Sequence, residues 1–216
     1  MPSCAANAQS GFTSIEQAKD KQLIIGGTGP SSSTTQHALL LANMLGYKIK
    51  VVTGYRGTAK VWLAMKKNEV QAVCTFWASS AMGNQAQDVA SGAMVPIVQM
   101  GRKPHPAFGK APVAYDLARN DEERAIMGAI FGVSELSRPY AAPPGTPEDN
   151  LAALRKGFWA AVHTPALRAD AKRLKLTIAP LTAKDTIAGF AKIFATPKHL
   201  VDKAKKLIAK PKKKMK

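Results

Sequence analysis

The chain has 216 residues, 46% of them hydrophobic, with 31 basic residues against 14 acidic and a formal charge of +17. That length allows one ordinary domain or two small lobes, and the apolar fraction suffices for a packed core. No run of 18 apolar residues occurs, so no membrane-spanning helix is expected, and the opening MPSCAANAQSGF lacks the basic start and apolar centre of a secretory signal.

The charge is uneven. From Lys198 onward nine lysines and one acid, Asp202, contribute +8 and leave +9 to the rest. Residues 209–216 read as a solvated basic tail, with binding to nucleic acid or an anionic surface as the alternative use of that charge. No aromatic residue is interleaved there, which removes base stacking and makes nucleic acid an unexpected partner. Cys4 and Cys74 have no metal-ligand spacing. One disulfide between them is possible, but two unlinked thiols are the simpler reading.

Residues 1–12 are expected to be irregular. The apolar run Leu23–Gly26 reads as a buried strand. Thr34–Leu45 places Leu39, Leu40, Met44 and Leu45 at helical spacing, and Gly46 follows as a C-terminal cap. KIKVVT at 48–53 reads as a second strand, Thr58–Lys67 as a helix with Thr58 as N-cap, and Val70–Phe76 as a third strand. Three strands joined through helices within about fifty residues demand parallel pairing and right-handed crossovers. Further on, Met94–Met100 reads as a strand and Asn120–Phe131 as a helix with acids in its first turn. Arg138–Ala142 reads as an extended piece that needs a sheet to join. Helices are expected at Pro147–His163, Pro165–Leu174, Thr182–Ala195 and Pro197–Ala209.

In parallel sheets ligands sit beyond the carboxyl ends of the strands. That rule selects 26-GGTGPSSST-34, 53-TGYRGT-58 and the stretch from Trp77 to Ser80. Each of the first two leads from a strand into a helix start, where free amides favour an anion. Gly26, Gly27 and Gly29 are expected to let a ligand approach the backbone, with Thr28, Ser31, Ser32, Ser33 and Thr34 as hydroxyl donors. Neither phosphate motif is met: the P-loop lysine is missing, and Ser32 stands where a dinucleotide turn needs its third glycine. A small carboxylate held by neutral donors fits better. Gly54 and Gly57 bracket Tyr55 and Arg56 ahead of Thr58, and Arg56 offers a cationic fork. Trp77 could stack on an aromatic acid, with core packing as its commoner use. The four histidines are scattered, no G-x-S-x-G elbow occurs, and His37 reads as a packed residue rather than a base.

These stretches carry a resemblance. GGTGPSSSTT, VVTGYRGTAKVWLAMKKNEVQAVC, APVAYDLARNDEER, SRPYAAPPGTPEDNLAALRKGFWAAVHTPAL and IFATPKHLVDKAKKLI, in that order, resemble the Bug-type (TctC-like) solute-binding proteins of tripartite tricarboxylate transporters, from about Thr13 to Ile208. The resemblance implies an α/β, type II periplasmic-binding-protein-like fold and a non-enzymatic function. A di- or tricarboxylate, amino acid or aromatic acid would be captured between two lobes, without a cofactor or metal. Loops matching Thr28–Ser33 and Gly54–Thr58 would make the contacts. It also implies membrane transporter subunits as partners and a periplasmic location. On this reading residues 13–118 form one complete βαβ lobe and residues 119–208 the mostly helical C-terminal part of the other. The chain is then expected to be a truncated member, since the family carries about a hundred more residues before the Thr13 region. Two positions depart from the family pattern: Asn68 stands where glycine is usual and Gln71 where aspartate is usual.

Overall fold

The computed structural model describes residues 1–136, 138–174 and 176–209. Its centre is a five-stranded sheet in the order β3-β2-β4-β1-β5. These strands are β1 (Pro2–Asn7), β2 (Leu23–Gly27), β3 (Ile49–Thr53), β4 (Ala72–Trp77) and β5 (Met94–Gln99). The helices α1 (Ser33–Leu45) and α2 (Thr58–Lys66) connect the parallel strands β2, β3 and β4. Each crossover begins at a strand's carboxyl end, so both helix starts lie on one rim of the sheet.

The N-terminal residues are not irregular. β1 lies inside the sheet, antiparallel to β4 on one side and to β5 on the other. Its PSCAAN sequence has no β-branched residue, and the strand forms because both of its edges find partners. The cysteines are not free thiols either: Cys4 and Cys74 face each other across β1 and β4 and form a disulfide. Both sulfur-bearing residues are fully buried.

Successive strand residues face opposite sides of the sheet, and two cores result. Ile25, Leu40, Cys74, Ile97, Ile126 and Phe131 belong to one, under α1 and α5 (Asp121–Phe131). Val61, Met65, Val73, Phe76 and Phe108 belong to the other, under α2. β4 breaks the alternation once. Ser3 pairs with Phe76 and Cys4 with Cys74, so Thr75 is left over as a bulge with φ +65. Cys74 and Phe76, two residues apart, therefore reach different cores.

After β4 come the short helices α3 (Ala78–Met82) and α4 (Ala86–Ala90). In α5, the side chain of the N-cap Asn120 accepts the Glu123 N–H at 2.9 Å, and Glu123 is held by Arg119, whose guanidinium also reaches the Met44 carbonyl at 2.7 Å. The chain divides at residues 135 and 195, not near 118: Met1–Glu135 and the described residues from Thr196 onward make one unit and Leu136–Ala195 a second. The reason is local. Ile126 and Phe131 of α5, together with Leu200 and Ala204 of α9 (Lys198–Leu207), are buried in the α1-side core.

The second unit consists of α6 (Glu148–His163), α7 (Pro165–Arg173) and α8 (Ala183–Phe194). Arg138–Ala142 is not a strand, and Arg138 has φ +64. Within this unit Tyr140 rests on Phe158, with ring centroids 4.9 Å apart. Neither α6 nor α8 buries any residue among those described. Most of the basic tail, residues 210–216, lies outside the described residues.

The two departures from the family pattern resolve locally. Asn68 takes φ +60 just after α2, the left-handed turn that glycine would otherwise supply. Gln71 is bound to β2: its Oε1 accepts the Ile24 N–H at 2.9 Å and its N–H donates to the Ile24 carbonyl at 2.8 Å. It lies just before β4, at the opposite end of that strand from the rim where the helices start.

Candidate functional site

The two turns selected in the sequence meet at the rim. β2 and β3 pair in register from Leu23 with Ile49 to Gly27 with Thr53. Just beyond, the Gly54 N–H donates to the Thr28 carbonyl at 3.1 Å, tying the turns together.

Within the first turn the hydroxyl groups bind one another. Ser32 Oγ donates to the Gly29 carbonyl at 2.7 Å and lies 2.7 Å from Thr34 Oγ1. Thr34 Oγ1 also accepts the Thr28 N–H at 3.0 Å and lies 3.1 Å from Thr28 Oγ1. Ser32 occupies the N-cap position of α1 with extended backbone, yet its side chain makes no capping bond. A serine there ordinarily satisfies an amide of the first turn. Here its hydroxyl is engaged inside the turn, and the leading amides of α1, at Ser33 and Thr34, have no carbonyl one turn below them. Thr34 organises this arrangement. Its importance was hidden in the sequence among five hydroxyl residues in a row, Ser31 to Thr35.

The second helix start is also uncapped by a side chain. Gly57, not Thr58, is the N-cap of α2, at φ +90 and ψ 160. A side chain is strained at that φ, which explains the glycine, and Thr58 becomes the first helical residue. Arg56 is exposed, and no carboxylate pairs with it among the described residues. Ser31 and Ser33 are exposed, while Thr28, Gly29, Tyr55, Thr58 and Trp77 are half-buried and Gly54 is open. Tyr55 packs partly against the α2-side core. Trp77 ends β4 opposite Pro2 and stands at the N-cap of α3.

The glycines divide by role. Gly29 has nothing within 4 Å of where a Cβ would stand, so backbone approach there is open. Gly26 and Gly27 serve packing instead. A Cβ on Gly26 would lie 2.5 Å from Val61 Cγ1, and one on Gly27 would meet Thr35 Oγ1. These glycines seat α2 and α1 on the sheet. Gly26→Ala is expected to destabilise the fold by about 1–3 kcal/mol through overpacking, read as a lower urea midpoint at unchanged slope.

Three of the four histidines are engaged in local packing or hydrogen bonds. His37 is 2% exposed, its Nδ1 has no partner, and it meets Phe131 edge-on at 5.0 Å. Burial pushes it down to about 4. His105 Nδ1 accepts the Ala107 N–H at 3.1 Å, and His163 Nδ1 lies 2.7 Å from the Trp159 carbonyl. No group of His, Cys, Asp or Glu among the described residues is placed to hold a metal ion.

No protein-family model and no curated protein matches the sequence. Solved structures do match. One is a TctC solute-binding protein from Polaromonas, solved without ligand: TM-score 0.62 at 18% identity, over 94% of this chain and 66% of that one. Another is R. palustris Rpa4515 with adipate: TM-score 0.61 at 16% identity, over 96% of this chain and 64% of that one. The present chain thus spans about two thirds of the length of each. Its mixed α/β architecture, with the helix starts gathered on one rim of an open sheet, is the periplasmic-binding-protein fold of the TctC-type solute-binding proteins.

Proposed function

We propose that this chain is a non-enzymatic solute-binding protein that holds a small carboxylate on the turns Thr28–Ser33 and Gly54–Thr58. The observation that carries this reading is the pair of helix starts, uncapped by side chains, on adjacent parallel strands, joined by the Gly54 to Thr28 hydrogen bond. Their free amides and Arg56 supply donors to an anion without a buried counter-charge. The adipate bound by the R. palustris neighbour is a carboxylate of the kind such a rim would take. By the same resemblance the ligand is a di- or tricarboxylate, an amino acid or an aromatic acid, and the partners are the membrane subunits of a tripartite tricarboxylate transporter. A periplasmic location agrees with the buried disulfide, since such cross-links persist in oxidising compartments. The alternative, binding of nucleic acid or an anionic surface through the lysine-rich tail, rests on charge alone, and most of that tail lies outside the described residues.

Titration calorimetry with adipate, succinate, citrate and benzoate tests the reading. At least one is expected to bind saturably and to keep most of its affinity from low to moderate salt. Arg56→Ala and Thr28→Ala are each expected to weaken that ligand by about tenfold, the scale of one lost hydrogen bond to a charged group. Unchanged affinity in both variants removes the site assignment.

A further inference from the structure

Thr75 is the most strained position in the sheet. Its φ of +65 is left-handed, a region that β-branched side chains rarely occupy. Glycine would relieve the strain, and none is present. Backbone strain of this kind persists where the surrounding structure enforces it, and it concentrates at binding sites. Bulges likewise re-aim side chains next to such sites.

Two further observations bear on what Thr75 does. It is 6% exposed, and among the described residues no hydrogen bond engages its hydroxyl. The fully enclosed polar side-chain atoms that lack a partner are, among the described residues, His37 Nδ1, Trp62 Nε1 and Gln85 Oε1, so the Thr75 hydroxyl keeps access to solvent and can bond a partner that arrives from there. Its position supplies the candidate. β2 and β4 pair only at Ile25 with Ala72 and at Gly26 with Val73. Two residues further along each strand stand Thr28 and Thr75, on either side of the gap where the ladder ends. Thr75 thus lies on the β4 flank of the rim, as Gly54–Thr58 lies on its β3 flank.

We infer that Thr75 is a ligand-contact residue: the bulge holds its hydroxyl at the rim, where it donates to the bound carboxylate. The inference rests on the carboxylate reading above and adds a third strand end to the site. The strain is then a feature of binding and not of folding.

Three substitutions separate these roles, measured with whichever of adipate, succinate, citrate or benzoate binds the wild type. Thr75→Val keeps the shape and removes the hydroxyl, and is expected to lose about tenfold in affinity. Thr75→Ser keeps the donor and is expected to stay within about threefold of wild type. Thr75→Gly relieves the backbone, and is expected to raise the unfolding midpoint while losing affinity as the valine variant does. Should Thr75→Val fail to fold, the glycine variant carries the test. Wild-type affinity in Thr75→Val or Thr75→Gly, with Arg56→Ala and Thr28→Ala weakened, overturns the assignment of Thr75 alone. If the wild type binds none of the four acids, the carboxylate reading and this inference fall together.

Discussion

Replacing both Cys4 and Cys74 by alanine is expected to lower stability by about 4 kcal/mol, a large share of the roughly 5–15 kcal/mol that holds a typical domain together. The cross-link closes a loop with a sequence separation of 70 residues. Opening it restores conformational freedom to the unfolded chain, and the gain grows with the logarithm of loop length. The place of the bond matters as well as its span. It fastens β1, a strand of small residues, into the middle of the sheet, with β4 on one side and β5 on the other. Without it, β1 is held by ladder hydrogen bonds, by the bonds from the Ser3 hydroxyl to the Phe76 carbonyl and from Asn7 Nδ2 to the Met65 carbonyl, and by the packing of its small side chains. Equilibrium urea unfolding of the two forms measures the difference. Because both cysteines are fully buried, a reductant added to the native protein is expected to act slowly, and to act quickly once urea opens the sheet. Equal midpoints for the two forms would show that the cross-link contributes nothing.

The second large effect is on pH dependence. His37 packs edge-on against Phe131 with an unpartnered ring nitrogen, and burial lowers it from 6.5 to about 4. The unfolded chain therefore takes up this proton at a higher pH than the folded one. The stabilisation is complete above pH 6.5 and drains away as pH falls toward 4. A difference of about 2.5 pKa units corresponds to about 3 kcal/mol, of which most is lost by pH 4.5. His105 is lowered as well, by burial first and the N-terminal charge second, and adds to the same window. Glu16 and Glu123 act at lower pH: hydrogen bonds from Lys19 and Arg119 hold these carboxyls below their usual range, so their contributions are lost as pH falls through those depressed values. The expected result is a fall in unfolding free energy of about 2–3 kcal/mol between pH 7 and 4.5 that is largely absent in His37→Leu. A parallel pH profile in the two proteins would place the titration elsewhere.

Much of the fold was legible because its signals are local. The apolar run before Gly26, the periodic Leu39, Leu40 and Met44, the left-handed Gly46 and the acids opening α5 each announce their element without help from distant residues. The helices after residue 147 were legible for the same reason, through acids or a proline at their starts. β1 was not, because nothing in PSCAAN favours a strand except the two neighbours that flank it. The Thr75 bulge was hidden too: a threonine in a β-rich run predicts regular alternation, and only the pairing of Ser3 and Cys4 shows that a residue is left over. Arg138–Ala142 has the composition of an extended segment but finds no strand to pair with among the described residues.

At the candidate site the residue types were legible and their relations were not. The hydroxyl-rich turn reads as a set of equivalent donors, whereas the folded turn makes Thr34 a hub and turns Ser32 away from capping. Gly26 and Gly27 read as room for a ligand, and their Cβ positions instead belong to Val61 and Thr35. A glycine required for helix packing and one required for ligand approach look alike until the neighbouring side chains are placed.

The central claim is that the joined turns hold a carboxylate, and the most direct measurement is a calorimetric titration of the purified protein with adipate, succinate, citrate and benzoate beside Arg56→Ala. The account predicts saturable binding of at least one acid at about one per chain, weakened by about tenfold in the variant. Heat traces flat for all four acids, or an acid bound equally by both proteins, would contradict it.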